Sequence, residues 1–69
     1  MAAMKTIILF GSQSSREAAK SLLENQPQIR RIDTSGDMRT LRLISASPIE
    51  EISLISLLSA SGISGFRLM

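Results

Sequence analysis

"QIRRIDTSGDMRTLRLIS", residues 28–45, carries two β-prone runs on either side of a Ser-Gly-Asp turn. Met38 to Ser45 sets Leu41 and Leu43 in alternation with Thr40 and Arg42. Alternation of this kind sends one set of side chains to each face of a strand, so the run reads as half-buried. Gln28 to Thr34 is the partner strand, and Ser35, Gly36 and Asp37 are turn formers. A link this short joins antiparallel neighbours, so the middle of the chain is expected to be a β-hairpin.

Upstream of the hairpin, "KTIILF" (Lys5 to Phe10) reads as a strand and Ser14 to Asn25 as a helix. Ser14 and Glu17 stand at capping-box spacing, while Ala18, Ala19, Leu22 and Leu23 recur on one helical face. Pro27 stops that helix. Downstream, Ser47 as N-cap, Pro48 at the first position and Glu50 mark a second helix start, and Gly62 its end. Gly65 to Met69, "GFRLM", makes a short last strand. "SLL" occurs at Ser21 to Leu23 and again at Ser56 to Leu58, each near the end of a helix, so the halves echo one another. The order β-α-β-β-α-β is that of the split βαβ sandwich. An α+β, ferredoxin-like fold is expected over residues 1–69 as one domain, with two helices on one face of a four-stranded antiparallel sheet.

Composition limits the chemistry. The 69 residues include no cysteine and no histidine, so neither disulfides nor the usual zinc ligands staple the fold. Apolar residues make up 43% of the chain and only two of them, Phe10 and Phe66, are aromatic, so the core is aliphatic. Eight basic against six acidic residues is a mild excess, short of the dense basic patch of a dedicated nucleic-acid binder. The apolar run after Lys5 is too short for a signal peptide, and none approaches the roughly 20 residues of a membrane helix. A cytoplasmic protein without a membrane segment is the expectation.

Alternation also sorts the sheet into faces. With Ile7 and Leu9 placed under the helices, Ile32, Thr34, Leu41, Leu43, Phe66 and Leu68 join them inside. The open face then carries Ile8, Phe10 and Ile44 among Arg31, Arg42 and Arg67, together with Asp33 and Thr40. Apolar side chains on two central strands make this a candidate interaction surface; a solvated face with a few tolerated apolar residues is the plainer alternative. The second helix is apolar around most of its circumference, and Leu54 and Leu57 are its expected surplus, available to the first helix or to another chain.

The glycine after the first strand, "NQPQIRRIDT" after the first helix, "SPIEEI" opening the second and "GFRL" at the end together resemble the heavy-metal-associated domain of copper chaperones and metal-transporting ATPases. The resemblance spans about residues 5–69 and implies the same fold. It also implies a metal loop after the first strand. There, the family has Gly, Met and two cysteines separated by two residues, whereas this chain has Gly11, Ser12, Gln13, Ser14 and Ser15 in a loop about two residues shorter. Serine hydroxyls and a glutamine amide are poor donors for Cu(I) or Zn(II), so no metal ligand carries over and no cofactor is expected. Met4, Met38 and Met69, or Asp33 with Asp37, are the remaining candidates for a metal.

Catalysis lacks a histidine, cysteine or tyrosine to act as base or nucleophile, and the serines have no visible activating partner. "GSQSS" before a helix is an anion-cradle candidate but lacks the lysine and second glycine of a P-loop. RNA-binding domains of this topology stack bases on central-strand aromatics, and the third strand offers Thr40, Arg42 and Ile44 instead. The leading expectation is a non-catalytic module with a degenerate metal loop that binds a protein partner or itself. Metal carriage through non-cysteine ligands is the alternative, and nucleic-acid binding the third.

Overall fold

Residues 3–69 are described by a computed structural model, and the expected element order holds. Strands β1 (Met4–Phe10), β2 (Ile29–Thr34), β3 (Thr40–Ser45) and β4 (Phe66–Leu68) and helices α1 (Gln13–Leu23) and α2 (Glu51–Ala60) follow in the order β1-α1-β2-β3-α2-β4. The sheet runs β2-β3-β1-β4 with every neighbouring pair antiparallel, which is the ferredoxin-like arrangement. Ala19 and Leu23 of α1 and Leu54 and Leu58 of α2 join Ile8, Phe10, Leu41, Leu43 and Ile63 in one buried cluster. Both helices therefore cover the same face of the sheet. Neither described helix is long and apolar enough to cross a membrane.

The pseudo-symmetry hinted at by the two "SLL" runs is structural. Leu22 and Leu57 are half-buried against the core, and Leu23 and Leu58 are fully inside. Full burial of a side chain of this size contributes about 1.5–3 kcal/mol relative to exposure, so each run anchors its helix.

The face assignment of β1 is corrected by its register. Ile8 stands opposite Leu41 on β3 and Leu68 on β4, and Phe10 stands opposite Phe66. Directly opposed residues share a face, so Ile8 and Phe10 lie under the helices, with 0% and 1% of their surface exposed. Their rings and methyls fill the core, and Phe10 meets Phe66 at a centroid distance of 6.2 Å. Ile7 and Leu9 take the open face instead, opposite Arg42 and Thr40. Four consecutive apolar residues in a central strand carry no alternation of their own. The partner strand decides which pair is inside.

Two helix starts also differ from expectation. The N-cap of α1 is Ser12 rather than Ser14: its hydroxyl accepts from the Ser15 N–H at 3.2 Å. Glu17, released from capping, pairs with Arg16. Helix α2 begins at Glu51 after an N-cap, Glu50, that makes no side-chain cap bond. Ser47 does not cap it: it lies three residues before the N-cap, and its carbonyl accepts the Ser45 hydroxyl at 2.7 Å. The far end of α2 agrees with expectation. Gly62 adopts φ 82°, its N–H reaches the Ser59 carbonyl, and the N–H of buried Ile63 reaches that of Leu58. That paired closure is the Schellman motif, which needs a residue free to turn left-handed.

The surplus apolar residues of α2 differ too. Leu54 is core and Leu57 half-buried, whereas Ile52 and Ile55 face outward, 73% and 42% exposed.

Candidate interaction face

The register of the three long strands lays out the open face in rows. Arg31, Ile44 and Lys5 stand side by side across β2, β3 and β1, then Asp33, Arg42 and Ile7. Thr40, Leu9 and Arg67 form the last row across β3, β1 and β4. Ile44, Ile7 and Leu9 consequently make an aliphatic diagonal with a cation beside each member. All three are half-buried, shaded by neighbours without being covered by another element. The stems of Lys and Arg are apolar, and charges held at their ends leave such stems free to shield aliphatic neighbours.

Four cations share this face with one carboxylate, Asp33. Arg31 holds that carboxylate, with Nη2 at 3.0 Å from Oδ2. Among the described residues, Lys5, Arg42 and Arg67 enter no salt bridge. Arg42 also borders a hollow of about 470 Å³ at the hairpin end of the sheet, with Ile7, Asp33, Ser35 and Thr40 on its walls. Of the expected surface residues, Arg31, Arg42, Ile44 and Arg67 thus come together, while Ile8 and Phe10 lie on the opposite side. Lys5, Ile7 and Leu9 complete the set. The strict alternation of β3 was the signal that pointed to them, once β1 is aligned to it.

The loop after β1 is small and tight. A Cβ on Gly11 would stand 3.2 Å from the Gly65 carbonyl, so a close backbone approach accounts for the glycine. Gly11, Ser12, Gln13 and Ser14 are exposed, and the Ser12 hydroxyl, besides capping α1, lies 3.2 Å from that of Ser15. The metal candidates do not converge. Met4 opposes Ser45 at one end of the sheet, whereas Met38 precedes Thr40, which opposes Leu9, at the other. Asp37 is engaged by its own turn: both the Arg39 and Thr40 N–H groups donate to Oδ1, and the Thr40 hydroxyl donates to Oδ2 at 2.8 Å. With the Ser35 hydroxyl as the largest influence, these donors hold the carboxyl well below the usual carboxylate range. They also seat Met38 at φ 67° between them. Among the described residues, no three carboxylates gather into a cluster.

One side chain was not foreseen at all. Arg16 sits on the inward stripe of α1 with Ala19 and Leu23, its side chain 5% exposed. Its Nη2 meets Glu17 Oε1 at 2.6 Å, while Nε and Nη1 are buried with no partner. An Arg-Glu pair near the start of a helix reads as solvated surface, so nothing in the local pattern distinguishes it. Compared with known proteins, the chain matches no family model and no curated protein.

Proposed function

We propose that this protein is a non-catalytic interaction module whose working surface is the open sheet face, and whose partner is a protein segment both acidic and apolar. The carrying observation is the diagonal of Ile44, Ile7 and Leu9 framed by Lys5, Arg31, Arg42 and Arg67, with a single carboxylate among them. Aliphatic side chains lose water on contact with an apolar partner, and the surrounding cations select one with carboxylates. A protein is favoured over a nucleic acid because both phenylalanines belong to the helix-covered face, leaving no ring on which a base can stack. The resemblance to the heavy-metal-associated domain fits a reading in which the Gly11–Ser15 loop has lost its soft donors and the neighbouring sheet carries the function.

The test is an NMR titration of the labelled chain with a Glu- and Leu-rich helical peptide, and separately with single-stranded RNA. Peptide-induced shifts are expected at residues 5–9 and 40–44, to be lost in Arg42→Glu, with RNA giving none. Shifts confined to residues 11–15, or a stronger response to RNA than to peptide, would refute the assignment.

A further inference from the structure

Building on that reading of the sheet, we infer that its occupant is the outward face of α2 from a second copy of this chain, docked head to tail. Ile52 and Ile55 are large aliphatic residues that the monomer leaves uncovered on α2. They stand three apart on the helix, so their Cβ atoms lie about 5–6 Å from one another. Ile7 and Leu9, two apart on a strand rising about 3.4 Å per residue, are spaced about 7 Å. Two helix knobs at the first spacing seat against a stripe at the second, with Ile44 on the flank.

Charge supplies the complement. Glu50 and Glu51 are the only charged residues between Arg42 and Arg67, and both are exposed at the start of α2. An aliphatic pair beside two carboxylates therefore faces an aliphatic diagonal beside four cations. The symmetric alternatives lack this match. Sheet against sheet sets like charges against each other. Helix against antiparallel helix sets Glu50 and Glu51 against the carbonyl end of the partner helix, which is the negative pole of its dipole and carries no cation.

Because the helices cover one side of the sheet, the two surfaces lie on opposite sides of the molecule. Docking one copy leaves a free sheet at one end of the pair and a free α2 at the other, so the contact propagates until it closes into a ring or dissociates. A face four strands wide, about 19 Å at 4.8 Å per strand, buries little area and belongs to the weak, reversible class of contacts.

The experiment is sedimentation velocity on the full chain across a wide concentration range, at low and high salt. Wild type is expected to grow past dimer with concentration and to revert toward monomer in high salt. Arg42→Glu disables only the sheet and Ile52→Asp only the helix; both positions are exposed, and unfolding midpoints check that the fold is kept. Each variant alone is expected to stay monomeric. Their equimolar mixture is expected to give a discrete dimer and nothing larger, since the intact sheet of one meets the intact helix of the other. A wild type that stays monomeric, one that stops at dimer, or a mixture without dimer overturns the head-to-tail contact. If the acidic peptide still shifts the open-face residues in that case, only the identity of the partner falls; if it does not, the sheet-face reading falls with it.

Discussion

Ile7 and Ile8 are the same residue type at adjacent positions, yet they have opposite fates. Ile8 is sealed beneath the helices and Ile7 lies half-buried on the open sheet. Truncating Ile8 to alanine leaves a cavity in a close-packed interior and is expected to cost about 2–5 kcal/mol. Ile7→Ala removes partly wetted methyls and is expected to cost below about 1.5 kcal/mol, since only part of its transfer free energy is at stake. Urea unfolding of the two variants measures the difference directly, and equal costs would reverse the assignment of faces. Arg16 shows how far residue identity misleads at this scale. Its helical position is a core position, and its aliphatic stem occupies the inward stripe while Glu17 meets the guanidinium. A buried cation with two unmet donors is a cost that the rest of the packing offsets.

At the scale of elements, the β2-β3 hairpin is built on Asp37, whose carboxylate gathers donors from Ser35, Arg39 and Thr40. Those donors favour the charged form, so the carboxyl is more acidic in the folded than in the unfolded chain. A group depressed in this way contributes stability above its unfolded value of 3.8, and loses it as pH falls from there through the folded value. Asp37→Asn cannot titrate. The stability gap between wild type and Asp37→Asn is therefore expected to be widest at neutral pH and to narrow below pH 3.8, as read by unfolding midpoints across the acid range. A gap independent of pH would mean that the turn needs the shape of the side chain and not its charge. The helix ends follow the same logic of unmet backbone groups. Ser12 supplies the cap of α1, and the Gly62 closure satisfies the last carbonyls of α2.

At the scale of the whole molecule, the open sheet is net cationic and the start of α2 acidic, while α1 carries both signs in the pairs Arg16–Glu17 and Lys20–Glu24. Lys5, Arg31, Arg42 and Arg67 stand on the open sheet, while Glu50 and Glu51 open α2 on the covered side. A mild excess of basic residues in the sequence thus becomes a cationic sheet in the fold, which under the proposed function is expected to steer encounter more than it adds affinity. Added salt is expected to weaken peptide binding to the sheet chiefly by slowing association, because the cations are exposed and screened at short range. Stopped-flow rates at two ionic strengths check this, and a salt-independent association rate would remove the electrostatic part of the proposal.

The hairpin, the element order and the closure at Gly62 follow from the sequence alone, because each rests on a local rule: alternation, turn chemistry or a positive-φ glycine. The faces of β3 were legible for the same reason, and with them Arg31, Arg42, Ile44 and Arg67. Where local rules were silent or tied, the tertiary structure decided. "IILF" is apolar on both sides, so only pairing of Ile8 with Leu41 and of Phe10 with Phe66 could send one pair inward. The sequence pointed to Ser14 as the cap of α1, whereas the structure gives the place to Ser12, next to the close approach of Gly11 to the Gly65 carbonyl. On α2, which is apolar nearly all round, the position of the sheet beneath it chose Leu54 and Leu58 for the core and left Ile52 and Ile55 outside. Periodicity chooses a face only where polar residues mark the other one; without them, the choice belongs to the neighbouring strand or helix.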